Sequence, residues 1–88
     1  SLEDSIELFI AADLYTLDRL KGLCEVAVQK GITEENATAL LQVSDELQAA
    51  RIREICMRFI IRHFDVVSKS EGFKTLSREL IFDILSNR

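Results

Sequence analysis

Asp18-Arg-Leu-Lys-Gly-Leu-Cys-Glu-Val-Ala-Val-Gln-Lys-Gly31 is echoed by Ala50-Arg-Ile-Arg-Glu-Ile-Cys-Met-Arg-Phe-Ile-Ile-Arg-His63, and the echo decides the fold. Along the first stretch and the residue before it, Leu17, Leu20, Leu23, Cys24, Ala27 and Val28 fall on one stripe at 3.6 residues per turn. In the second, Ile52, Ile55, Cys56, Phe59 and Ile60 do the same. A shift of 32 residues aligns Leu8 with Leu40, Asp13 with Asp45, Arg19 with Arg51 and Cys24 with Cys56. Leu20 then meets Ile52, Lys21 meets Arg53, Leu23 meets Ile55 and Val28 meets Ile60. The chain therefore reads as two helical hairpins of about 32 residues stacked like adjacent solenoid units.

The other segments follow from the same period. Glu3–Tyr15 is a helix with Ile6, Phe9, Ile10, Asp13 and Leu14 on its stripe, and Ser1 with Asp4 form a capping pair. The second helix covers Asp18 to Lys30, and Gly31 is placed as its C-cap with positive φ. Thr33 starts the third, with Glu34 and Glu35 in its first turn and Ala37, Leu40, Leu41, Ser44 and Leu47 as its stripe. The fourth runs from Ala50 to His63. A short helix at Asp65–Ser70, a turn at Gly72 and a last helix from the N-cap Ser77 to Ser86 complete an all-α chain. Asp13 and Asp45, at the ends of the first helix of each hairpin, are expected to cap the next helix, with a recognition role at the hairpin tips as the alternative.

Composition narrows the function. There are 88 residues, 48% of them hydrophobic and 30% charged, with no Pro and a net charge of −4. That suits one folded helical domain. The basic residues are scattered and outnumbered, which argues against a nucleic-acid surface. No apolar run is long enough to span a membrane. Ser1–Ile10 is not built like a secretory signal, and since the first residue is not Met, an upstream segment is expected.

The chemistry-bearing residues do not converge. Cys24 and Cys56 sit on apolar stripes, where a thiol acts as a small hydrophobe. His63, the one histidine, lies two turns beyond Cys56 on the same helix, too far for a dyad, and reads as a cation at a helix C-terminus. The adjacent carboxylates Glu3–Asp4, Glu34–Glu35 and Asp45–Glu46 point about 100° apart on a helix. No phosphate loop, zinc spacing or calcium loop is present. The sequence points to no enzyme, no metal and no cofactor.

Ile10-Ala-Ala-Asp-Leu-Tyr15, Leu17-Asp-Arg-Leu-Lys21 and Leu23-Cys-Glu25 resemble the C-terminal helices of a BTB/POZ domain. Thr33-Glu-Glu-Asn-Ala37 resembles the entry into the next helical pair, the three-box that opens the BACK domain. Phe64-Asp-Val-Val-Ser-Lys-Ser-Glu-Gly-Phe73, with Leu76-Ser77 and Leu80-Ile81, is similar to the BACK helices that follow. Among BTB–BACK proteins the likeness is to the leucine-zipper-like regulators and to those with chromosome-condensation-regulator repeats.

The resemblance implies residues 1–31 as BTB helices and 32–88 as a three-box/BACK segment. It implies a substrate adaptor for a cullin-RING ubiquitin ligase of the cullin three type, intracellular and cytoplasmic or nuclear. The partners would be the cullin scaffold, a second copy, and a substrate held by domains absent from this chain. The strands and early helices of a BTB domain are missing, as are its apolar–x–Glu cullin-contact loop and any kelch repeats. Intrinsic cullin affinity should then be weak. The stripe that the missing parts would cover favours a homodimer. By family analogy Leu14, Tyr15 and Leu17 line a partner groove, with Asn36 and Leu40 facing them; the simpler reading is that all five pack a hairpin junction. The competing function is a helical-repeat scaffold that binds a peptide or helix with no ligase role.

Overall fold

A computed structural model describes all 88 residues and contains seven helices and no strand. They are α1 (Leu2–Leu14), α2 (Asp18–Gly31), α3 (Ala37–Glu46), α4 (Ala50–Arg62), α5 (Phe64–Val67), α6 (Glu71–Lys74) and α7 (Arg78–Ser86). α1 pairs with α2 and α3 with α4. The hairpins stack with α1 beside α3 and α2 beside α4. α6 packs on α3 and α7 on α4, closing the far side of the second hairpin.

The 32-residue repeat extends to individual hydrogen bonds. Each hairpin turns through one residue with left-handed backbone, Thr16 at φ 56° and Gln48 at φ 57°. The Leu17 N–H donates to Ala12 O at 2.8 Å, and the Ala49 N–H to Ser44 O at 2.9 Å. Thr16 N–H donates to Asp13 O and Gln48 N–H to Asp45 O, both at 3.1 Å. This is the Schellman closure, made twice without the glycine that usually fills its left-handed position.

The closure changes the role of the two aspartates. α2 and α4 have no side-chain N-cap. Asp13 instead meets Lys21 Nζ at 2.7 Å, and Asp45 accepts from Arg53 Nε at 2.9 Å. A full cation one turn into the next helix attracts a carboxylate more strongly than a neutral amide does, so capping gives way to an ion pair. The Asp13 hydrogen bond raises the Lys21 ammonium above its usual value.

Two glycines also differ from expectation. Gly31 remains helical, and Ile32 leaves in extended backbone at φ −69° and ψ 135°. A Cβ on Gly31 would lie 2.9 Å from Leu2 Cδ1 and Cδ2, so the residue is small to let α1 approach. Gly72 is not a turn between helices but part of α6, whose N-cap Ser70 accepts from Phe73 N–H at 3.2 Å. A Cβ there would sit 2.1 Å from Thr38 Oγ1 on α3. α5 consequently stops at Val67, before Ser70 turns to serve α6.

α3 begins at Ala37, four residues after Thr33. Asn36 N–H donates to Thr33 Oγ1 at 3.2 Å, while Thr33 N–H donates to Asn36 Oδ1 at 2.7 Å. This reciprocal box closes residues 33–36 into a turn of their own, with Glu34 and Glu35 outside the helix. α7 keeps the expected start, Ser77 Oγ accepting from Leu80 N–H at 3.2 Å.

The core joins both hairpins to the tail. Ile6, Phe9, Cys24 and Val28 meet Leu40, Leu41, Ile52, Cys56 and Ile60, and Val67, Leu80 and Ile84 complete it. Arg53 ties the tail down from outside by also donating to Asp83 Oδ2 on α7 at 2.7 Å. Partial burial opposes its charge, but the bonds to Asp83 and Asp45 outweigh that and hold the guanidinium above the ordinary arginine value.

Candidate protein interaction site

The two hairpins have equivalent residues but unequal surroundings. Leu40 is 1% exposed because the first hairpin lies over it, whereas its counterpart Leu8 is 46% exposed. Ala49 is buried and its counterpart Leu17 is half open. Ile55 is half-buried while Leu23 stands in solvent. The first hairpin thus carries the same apolar face as the second, with nothing stacked on it.

That face runs into the α1–α2 tip. Leu14 is 75% and Tyr15 70% exposed, and with Leu17 they surround the strained Thr16. A shallow cleft of about 620 Å³ lies there, lined by Thr16, Leu17, Asp18, Arg19, Leu20 and Leu23. Periodicity places Leu14 and Leu23 on core stripes. The uncovered side of the stack leaves them in water.

Asn36 and Leu40 do not join this trio. Leu40 is in the core. Asn36 donates from Nδ2 to Gly31 O at 3.1 Å, at the opposite end of α2. Fourteen helical residues at about 1.5 Å each separate the two ends by roughly 20 Å. The sequence-derived set therefore divides into an exposed tip of three residues and two residues elsewhere.

A second concave surface was not anticipated. Ile55, Arg58, Phe59 and Arg62 share one face of α4, and with Gln29 and Ile32 they line a cleft of about 300 Å³ beside α2. The i, i+3, i+4, i+7 spacing on α4 was the available signal. The core stripe read from periodicity includes Ile55 and Phe59, yet they are only partly buried.

The thiols are placed for packing. Both cysteines are free and buried. Burial pushes the Cys56 thiol up to about 12, against the opposing hydrogen bond from Ser44, and burial also raises Cys24. Neither is available as a thiolate near neutral pH. His63 Nδ1 lies 3.1 Å from Glu34 Oε2, and its ring stacks on Phe59 with centroids 4.1 Å apart. No group of three His, Cys, Asp or Glu side chains is arranged to hold a metal ion, and no helix is long and apolar enough to cross a membrane.

An uncovered face on a stack of helical hairpins describes an interaction module, and comparison with known proteins names its kind. Residues 37–88, which comprise α3 to α7, match the BACK family, "BTB And C-terminal Kelch". The chain belongs to the BACK family. Human leucine-zipper-like transcriptional regulator 1 is 31% identical to this BACK chain over 87 residues, 97% of this chain and 10% of that protein. The Arabidopsis thaliana "ARM repeat protein interacting with ABF2" is 39% identical over 82 residues, 93% of this chain and 12% of that protein. "BTB/POZ and MATH domain-containing protein 3", also from Arabidopsis, is 37% identical over 73 residues, 81% of this chain and 18% of that protein. The BACK chain spans only a tenth to a fifth of the length of these relatives.

Proposed function

We propose that this chain is the joint between a BTB fold and its BACK segment in a substrate adaptor for a cullin-RING ubiquitin ligase of the cullin three type. Residues 1–31 are the last BTB helices and residues 32–88 the three-box/BACK segment. The chain performs no chemistry of its own. It holds the BTB part, the cullin scaffold and a substrate-binding part in fixed relation, inside the cell, in cytoplasm or nucleus. Substrate is held by domains outside these residues, and a second copy pairs with the first.

One observation carries the reading: Leu8, Leu17 and Leu23 are open where Leu40, Ala49 and Ile55 are covered or partly covered. A face whose twin is closed by a neighbouring helical layer is shaped for such a layer, and the remainder of a BTB fold supplies one. The tip residues Leu14, Tyr15 and Leu17 then lie beside that layer, within reach of a cullin seated on it.

Co-precipitation of cullin three with the full-length parent tests the proposal. Leu14→Asp and Tyr15→Asp should each weaken capture with the fold intact, since both side chains are exposed. Leu40→Asp is uninformative, because a carboxylate in the core unfolds the chain. A parent with an intact BTB fold that captures no cullin would sink the ligase reading and leave a helical-repeat scaffold.

A further inference from the structure

The cleft between α2 and α4 lies away from the α1–α2 tip and shares no residue with it. Its floor is Ile32, Ile55 and Phe59, and its walls are Gln29, Arg58 and Arg62. The Phe59 ring is held by its stack on His63, which is in turn held by Glu34, so the floor is shaped before anything binds. A volume of about 300 Å³ is room for one or two side chains.

Charge is distributed unevenly around it. The chain carries −4 overall, yet no carboxylate lines this cleft. α4 has four arginines. Arg51 meets Glu25 at 3.3 Å, Arg53 meets Asp45 and Asp83, and Arg58 meets Glu54. Arg62 alone has no carboxylate partner, and it stands at the cleft's rim.

We propose that this groove binds a short acidic peptide segment of a partner protein. One bulky apolar side chain of that segment sits on Ile32, Ile55 and Phe59, and a neighbouring Asp or Glu carboxylate meets Arg62, with Arg58 beside it. An unpaired guanidinium next to an apolar floor in a cation-only cleft is complementary to that combination. The surrounding negative charge selects against a long polyanion: beyond roughly one Debye length a nucleic acid meets repulsion, whereas a few residues do not.

Fluorescence anisotropy with the intact chain tests this. The probe is a fluorescein-labelled peptide rich in Glu and Asp with a single Phe. Its two controls replace the Phe with Ala, or every acid with Lys. The acidic Phe peptide should bind saturably, and loss of Phe should weaken it about tenfold. Arg62→Glu should also weaken it about tenfold, while Arg78→Glu, exposed at the start of α7 and outside both clefts, changes nothing; circular dichroism checks that both variants fold. Binding should fall as salt rises, and amide NMR shifts should centre on Ile55, Phe59 and Arg62. Absence of saturable binding, equal losses in the Arg62 and Arg78 variants, equal binding of the Lys peptide, or equal competition by a single-stranded oligonucleotide would each overturn the proposal.

Discussion

Thr16 and Gln48 occupy the same place in two Schellman turns, and neither is the glycine such a turn favours. Left-handed backbone costs a residue with a Cβ roughly 1–2 kcal/mol, and most for a β-branched one. Part of that returns in the lower entropy of the unfolded chain. Gln48→Gly should therefore stabilise the chain by about 0.5 kcal/mol and Thr16→Gly by about 1 kcal/mol, read from urea midpoints. Destabilisation by either substitution would contradict the strain. Burial moves the Cys56 thiol from an ordinary 9.0 to about 12. The folded thiol holds its proton where the unfolded one has lost it. Its contribution to stability is thus complete below about pH 9 and is lost as pH rises toward 12. The slope should approach about 1.4 kcal/mol per pH unit in that window. Urea unfolding at pH 8.5 and 10.5 should show a smaller loss in Cys56→Ala than in the parent.

At the level of elements, α6 is fixed by one close approach. Gly72 leaves no room for a Cβ, which would fall 2.1 Å from Thr38 Oγ1. Gly72→Ala should cost about 2–3 kcal/mol, the range of an overpacked core. Thr38→Ala in the same molecule should restore most of it, since removing the hydroxyl opens the space. A double-mutant cycle in urea measures the coupling; additive effects would mean that α6 shifts freely on α3. Gly22 is the contrast. Nothing lies within 4 Å of a Cβ built there, so its only effect is to weaken α2.

For the molecule as a whole, stacking leaves one side unfinished. The second hairpin is covered by the first and by α6 and α7, while the first keeps Leu8 and Leu23 in water. Fully burying a leucine is worth about 1.5–3 kcal/mol, enough for a few such residues to drive association. The isolated chain should be a homodimer at high micromolar concentration. Leu8→Glu with Leu23→Glu should return it to 10.0 kDa by light scattering, with urea stability of the monomer nearly unchanged. An unsubstituted chain that is already a monomer at that concentration would overturn the homodimer.

Periodicity and the repeat are legible because they depend on spacing alone: six of the seven helices and the buried pair Cys24 and Cys56 follow from which residues recur at 3.6 and at 32, and Ser1 and Ser77 mark two helix starts, whereas α6 stands where the sequence reads a turn at Gly72. The candidate site was legible only in part. Family resemblance singles out Leu14, Tyr15 and Leu17, which are exposed together, but it joins Asn36 and Leu40 to them although α2 holds Asn36 at its far end and the core holds Leu40. Periodicity places Leu23 in the core, and it does not separate the face formed by Ile55, Arg58, Phe59 and Arg62 from the buried stripe of α4. A hydrophobic stripe states that a helix has an apolar side. Which side another helix covers depends on which neighbours exist, and that is settled only when the hairpins stack. The same holds for Asp13, Asp45 and Gly72, whose partners Lys21, Arg53 and Thr38 are selected by distance in the folded chain.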